Sequence, residues 1–164
     1  MNYINVLKRT DIFFDLSDEF LDMVAGVCRD ASFRMGEMVF EEQSANSELY
    51  IIADGEVEIV VDPSFIEATQ IASQSITVDT LRAGQAFGEI ALVDQGLRSA
   101  GARSASDRTR LLVVPSAKLL ELCEQYPEVG YRVMRNVAAE LALKMRSVNL
   151  TRREQMLRRD QRDD

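Results

Sequence analysis

Glu89 and Arg98 stand nine residues apart, in the segments Phe87-Gly88-Glu89-Ile90-Ala91-Leu92 and Arg98-Ser99-Ala100, and bring one carboxylate and one strong cation to the same short region of chain. A guanidinium presents a planar fork that takes two phosphate oxygens at once, which a lysine does not do with the same geometry. Ser99 adds a hydroxyl donor, and Ala100 is small enough to leave its own N–H accessible. Gly88 opens a short apolar turn, where the lack of a Cβ lets a ligand come close to the backbone. The first free N–H groups of such a turn, with the positive end of the helix dipole, suit a phosphate. A carboxylate beside a phosphate is repelled unless it is aimed at hydroxyls. Glu89 accepting from a ribose 2′-OH, with the phosphate on the nearby N–H groups, would read a ribonucleotide from two sides. The plainer reading of the same residues is an Arg98–Glu89 ion pair that closes a loop.

Composition removes other chemistries. The chain has no histidine, and metalloenzymes built on barrels of short strands rely on imidazole ligands that two cysteines cannot replace. No Ser-His or Cys-His nucleophile pair can form either. A formal charge of −8 argues against wrapping nucleic acid, where affinity comes from Lys and Arg on phosphates. Seven basic and four acidic groups fall in residues 144–164, so the excess of acid lies in the body. No apolar run approaches the roughly 18 residues that cross a bilayer. Asp11, Asp15 and Asp18 interrupt the apolar residues of the N-terminus, unlike a signal peptide. A cytoplasmic protein without membrane contact is expected. Cys28 and Cys123, far apart in sequence, read as buried free thiols.

The elements that must position the pocket follow from periodicity. At 164 residues the chain is about one domain long. Residues 4–30 carry apolar side chains at three-four spacing and are predicted helical, with Ser17 as N-cap and Asp18 and Glu19 in the first turn. From Ser32 to Val114 the period becomes two. Val57, Ile59 and Val61 share a face opposite Glu56, Glu58 and Asp62, and Leu49-Tyr50-Ile51-Ile52 is an apolar strand ending at Asp54-Gly55. Between two strands, the connection from Pro63 to Ser75 could hold a short helix across Phe65 to Ile71. Short strands with turn signals at regular intervals make a barrel or a sandwich. After Val114 the period is helical again, with Ser116 as a candidate cap and Pro127 at the first position of a long helix. Along that helix Val129, Val133, Met134, Val137, Leu141, Met145 and Val148 form a stripe that either covers the barrel mouth or pairs with the same helix of another subunit. Residues 149–164 form a polar, arginine-rich tail that extends the helix or frays.

The motif F-G-E-[L/I]-A-L followed by R-[S/T/A]-A resembles the phosphate-binding cassette of the cyclic nucleotide-binding domain family, and both halves are present without substitution. Gly36-Glu37 before Phe40, then Leu49-Tyr50 with Gly55 and Val57, then the cassette, is also the family's order, so the resemblance covers about residues 10–148. It implies a mainly β fold with flanking helices: a double-stranded β-helix, or jelly-roll barrel, at about 32–114, with N-terminal helices at about 4–30 and C-terminal helices at 116–148. It puts the ribose hydroxyl on Glu89 and the cyclic phosphate on Arg98, and completes the ligand-binding set with Phe87, Gly88, Ile90, Ala91, Ser99 and Ala100. The Arg103-Ser104-Ala105 triplet lies at a distance from Glu89 that fits the family less well. Ser99 is compatible with adenine or guanine, and Lys144, Ser147 and Asn149 are candidate polar contacts from the last helix. In the family a leucine of the cassette turn, here Leu92, repacks against the following helix, here Leu119; the alternative is that both are plain core leucines.

These expectations describe a sensor of cAMP or cGMP without catalytic residues, metal or further cofactor, acting on an unidentified downstream protein. A homodimer through the C-terminal helix is expected. So is the lack of direct DNA binding, since 164 residues leave no length for a helix-turn-helix domain after the long helix. Two other readings keep the fold and change the role. One is a dimerisation or interaction module that binds no nucleotide, and the other is a metal-free barrel enzyme using Glu89 as base.

Overall fold

The structure is a computed structural model that describes residues 2–63, 75–94 and 96–160. Helix α1 (Tyr3–Leu7), a 3₁₀ turn (Asp11–Phe13) and α2 (Asp18–Val27) precede the strands. The strands are β1 (Arg29–Phe33), β2 (Met38–Phe40), β3 (Glu48–Asp54), β4 (Glu56–Val61), β5 (Ile76–Arg82), β6 (Ala86–Phe87), β7 (Gly101–Ser104) and β8 (Thr109–Pro115). A second 3₁₀ turn (Glu89–Leu92) follows β6, and α3 (Ser116–Gln125) and α4 (Pro127–Asp160) close the chain. The strands form two four-stranded antiparallel sheets, β1-β8-β3-β6 and β2-β7-β4-β5. This is the jelly roll with a long C-terminal helix; among the described residues each sheet pairs only within itself, so the barrel is two facing sheets rather than a closed hydrogen-bonded ring.

Two cores hold these layers together, and β3 and β8 serve both. Tyr50 and Ile52 of β3 and Leu111 and Val113 of β8 pack between the sheets with Val57, Leu81, Phe87 and Ala102. Their neighbours Leu49, Ile51, Leu112 and Val114 point the other way, against Leu7, Phe13, Phe20, Val24, Leu119, Val133 and Val137 of the helical layer. A strand buried on both faces shows a continuous apolar run instead of alternation, which is what Leu49-Tyr50-Ile51-Ile52 is.

The helical segment at residues 4–30 is not continuous, and its strand begins earlier than the change of period at Ser32. Asp15, at φ +59°, takes a left-handed turn that a carboxylate side chain tolerates, and the Ser17 hydroxyl then accepts from Phe20 N–H at 3.3 Å to start α2. Pairing of Arg29 with Val113 and of Asp30 with Leu112 in the β8 ladder ends the helix at Val27. Ser116 is the first residue of α3 rather than its cap: Pro115 holds the cap position and the Ser116 hydroxyl is buried without a partner. Pro127 does open α4, which continues through the arginine-rich segment to Asp160. The short helix expected across Phe65 to Ile71 lies outside the described residues. Cys28 and Cys123 are both free, and burial pushes the Cys28 thiol up to about 12. Among the described residues no helix is long and apolar enough to cross a membrane.

Helix α4 is fixed at its start by contact and by polar clasps. Asn136 donates from Nδ2 to the carbonyls of Ile12 (3.1 Å) and Phe14 (3.0 Å), and Arg132 donates to the Asp15 carbonyl at 3.0 Å. Where α3 and α4 meet, a Cβ on Gly130 would lie 2.6 Å from the Cys123 carbonyl oxygen and 2.9 Å from its Cβ. Gly130→Ala must therefore separate the two helices, and overpacking of this kind costs about 1–3 kcal/mol. The expected result is a melting temperature lower by several degrees in calorimetry; an unchanged or higher value would show that the crossing has slack.

Candidate functional site

All eight residues of the predicted pocket, Phe87 to Ala91 and Arg98 to Ala100, line one cleft of about 1090 Å³. Its floor is the turn after β6, one wall is β5, and Leu143, Lys144, Ser147 and Val148 of α4 form part of the rim. Asn149 does not line it. The 3₁₀ turn Glu89–Leu92 starts from Gly88 in the left-handed conformation at φ +79°, so its first N–H groups have no carbonyl within the turn to bond. Glycine is required here for a reason other than ligand approach. A Cβ would stand 2.8 Å from both Arg98 Nη1 and the Glu48 carbonyl oxygen.

Arg98 is only 7% exposed. Its Nη1 donates to the Gly88 carbonyl at 3.1 Å, and Nη2 donates to Asn46 Oδ1 at 2.6 Å and to the Glu48 carbonyl. The Phe40 ring covers the guanidinium at 4.2 Å from the centroid, an attraction that adds to its hydrogen bonds. Tyr50 stacks on Phe87 behind it, 5.1 Å between centroids, and its hydroxyl donates to Glu48 Oε2 and accepts from Asn46. Burial first, and the Glu48 hydrogen bond second, push the Tyr50 hydroxyl up to about 12. Burial also pulls the guanidinium below its usual range, yet at any ordinary pH it stays charged. Much of the fork expected to hold a ligand is thus spent on the protein. Nε is buried with no partner, and it and the second Nη1 hydrogen remain to donate.

Glu89 does not pair with Arg98, so the loop-closing ion pair is not formed. The partner of Glu89 is Lys144 of α4, whose Nζ lies 2.9 Å from Glu89 Oε1, 3.1 Å from Glu140 Oε1 and 3.3 Å from the Ala86 carbonyl oxygen. An ammonium has three hydrogens, and these three acceptors use them all. Lys144 thus contacts Glu89 from the rim of the cleft. Glu140 was not visible as a site residue in the sequence, where it reads as one more charge on a helix; nor were Asn46, Phe40 and Tyr50, which reach Arg98 from other strands. Leu92 and Leu119 are both buried in the helical core. Arg103 is away from the cleft, paired with Glu58 across the β4–β7 ladder at 2.7 Å.

The family described as "Cyclic nucleotide-binding domain" matches residues 31–126. The cyclic AMP receptor protein of Thermus thermophilus is 29% identical over 144 residues, covering 88% of this chain and 61% of its own. The mouse cyclic nucleotide-gated channel alpha-4 is 26% identical over 153 residues, covering 90% of this chain and 25% of the channel. The chain thus spans less than two thirds of the length of these relatives. The crystal structure of Thermus thermophilus catabolite activator protein superposes with a TM-score of 0.69 at 29% identity, over 87% of this chain and 61% of that one.

The Glu140 carboxyl gives the cluster a pH signature. Burial, the largest influence, raises its pKa above the ordinary 4.5, and Lys144 only partly offsets this. A carboxyl whose folded pKa is raised favours the folded state while protonated, so its contribution is present below its unfolded value and is lost as pH rises through the folded one. In Glu140→Gln that loss is absent. The variant should melt higher than the parent near pH 7, with the difference closing toward pH 4.5; a difference constant across this range would refute the assignment.

Proposed function

This chain belongs to the cyclic nucleotide-binding domain family, and we propose that its cleft binds a 3′,5′-cyclic ribonucleotide as a regulatory input. The observation that carries the reading is the convergence of the Gly88-opened turn, the buried Arg98 and the Glu89 carboxylate on one cleft. The phosphate would take the first N–H groups of the turn and the Arg98 donors left unpaired, and the ribose hydroxyl would donate to Glu89, with Ile90, Ala91, Ser99 and Ala100 around them. Ligand preference leans to cAMP, since the Thermus relative is a cyclic AMP receptor protein; cGMP is the alternative. Residues 1–148 act as the binding unit, without catalytic groups, metal or further cofactor, in the cytoplasm.

Binding becomes a signal only if two arrangements of the protein bind the ligand differently. Tightening of the Glu89–Leu92 turn on a phosphate would move Leu92 against Leu119, and α3 carries that shift to α4, with which it packs. An unidentified downstream protein would read the position of α4. A ligand at about a hundred times its dissociation constant adds roughly 2.7 kcal/mol of stability, on the order of 5–10 °C in melting temperature for a domain this size. The expected result is such a shift with cAMP or cGMP, lost in Arg98→Ala. Because that variant also leaves Asn46 and Glu48 without their donor, Ser99→Glu provides a second check: it adds a negative charge at an exposed position of the cleft and should abolish the shift without lowering the unliganded melting temperature. A parent protein that shows no shift with either nucleotide is instead an interaction module.

A homodimer fits the outer side of α4. Val133 and Val137 of the predicted stripe are buried in the protein's own core, and Val129, Met134 and Leu141 pack against it. On the opposite face Tyr131, Ala138, Ala142 and Met145 are exposed, with Arg135 between the first two. Paired with the same face of a second copy, it would make a seam of small and apolar side chains. Met145→Glu should convert a dimer to a monomer in sedimentation equilibrium, and a parent chain that sediments as a monomer at micromolar concentration rules the seam out.

A further inference from the structure

We propose that Asn46 is a positioning residue of the phosphate site: it holds Arg98 through a neutral oxygen and so leaves the guanidinium charge uncompensated for an anion. This rests on the cyclic nucleotide reading of the same cleft and adds to it a residue outside the turn and a rule about charge.

A buried guanidinium is ordinarily paired with a carboxylate, since an unpaired charge in a dry place is costly. Arg98 has no such partner among the described residues. Its hydrogen bonds go to the Gly88 and Glu48 carbonyls and to Asn46 Oδ1, all neutral, and the Phe40 ring covers its face. Carboxylates are close at hand, but each is held by another cation. Glu48, whose carbonyl binds Arg98, turns its side chain to Arg29, and Glu89 turns to Lys144. Burial pulls the Arg98 guanidinium below its usual range, and Tyr50, Glu48 and Glu89 offset that only in part. A direct ion pair would push it the other way. The positive charge is therefore uncompensated, with the Nε hydrogen and one on Nη1 left without an acceptor.

Asn46, which lines the cleft, keeps the charges sorted in this way. Its Oδ1 takes two donors at once, Arg98 Nη2 at 2.6 Å and the Glu48 N–H at 3.0 Å, while Nδ2 donates to the Tyr50 hydroxyl at 3.0 Å. Tyr50 passes its own hydrogen to Glu48 Oε2 at 2.9 Å, and Arg29 holds Oε1 of the same carboxylate. An amide suits the middle of this chain because it accepts on one side and donates on the other. Its donor side keeps the Tyr50 hydroxyl turned to Glu48 and helps to hold that carboxylate against Arg29. An aspartate has the same shape but only acceptors. It would pair with Arg98, take the Tyr50 hydrogen for itself, and add a negative charge to a cleft where Asp79, Glu89 and Asp94 already outnumber Arg98 and Lys144.

The test is calorimetric binding of cAMP and cGMP by the full chain, with the unliganded melting temperature, in the parent, Asn46→Asp and Asn46→Ala. Asn46→Asp should weaken the nucleotide by about tenfold or more, since like charges in one site repel strongly. Its unliganded melting temperature should equal or exceed the parent's, because Arg98 exchanges a neutral partner for an ionic one. Asn46→Ala leaves Arg98 short of an acceptor and should lower melting temperature and affinity together. An Asn46→Asp variant that binds as tightly as the parent overturns the proposal. So does one that melts below the parent, since its loss would then be one of structure rather than of charge. A parent that binds neither nucleotide defeats the proposed function itself, and the order of the three melting temperatures still tests how Arg98 is held.

Discussion

The buried guanidinium of Arg98 is the interaction on which the site depends. Taking that charge out of water is costly unless acceptors surround it, and the acceptors come from separate parts of the chain: the Gly88 carbonyl after β6, the Asn46 side chain before β3 and the Glu48 carbonyl within it. Phe40 of β2 lies across the group, so a strand of the second sheet and a strand of the first meet at one cation. The left-handed glycine at position 88 follows from this. No side chain fits between the guanidinium and the Glu48 carbonyl, and the turn that opens on this glycine leaves its first N–H groups without a carbonyl inside the turn. Charge burial, turn geometry and anion-binding capacity are thus one construction rather than three.

How much of this is legible in the sequence depends on how local each feature is. The turn and Arg98 lie within a dozen residues, so residue types and spacing carry most of their meaning. The partners of Arg98 are not legible in this way. Asn46 is some fifty positions away and enters through strand pairing that no short-range pattern encodes. The jelly roll could be anticipated from strand and turn signals, while the division of β3 and β8 between two cores could not. Their apolar runs show burial but not which side faces what. At the N-terminus, three-four spacing is genuine over Phe20, Leu21 and Val24, yet the ladder to β8 outweighs helix propensity from Arg29 onward. Tertiary pairing sets that boundary, as it commonly does.

Charge pairing is where the fold departs most from what chain order suggests. An acidic residue beside an arginine suggests a pair, and the fold instead sends each to a different partner. Arg98 turns inward to neutral carbonyls, and Glu89 turns to Lys144, which a third group, Glu140, also holds. Burial pulls the Lys144 ammonium down, and the two carboxylates more than offset it, so it titrates above its ordinary range and is charged at neutral pH. Glu140 takes the opposite share of the strain, with its carboxyl pushed up. Such a division is expected where two acids must share one base in a dry place.

Along α4 the character of the attachment changes near Leu141. From Pro127 to Leu141 the helix is held by buried valines, by the close crossing at Gly130 and by Asn136 on the N-terminal turn. Each fully buried valine contributes on the order of 1.5–3 kcal/mol, so this part moves only with the core. Beyond Leu141 the side chains of Leu143, Met145, Val148 and Leu150 are exposed, and Lys144 ties the helix to Ala86 of the sheet and to Glu89 of the turn. Local release begins where apolar burial is least. The part of α4 that faces Glu89 is therefore the part least costly to move, and the stretch before it is fixed by the core.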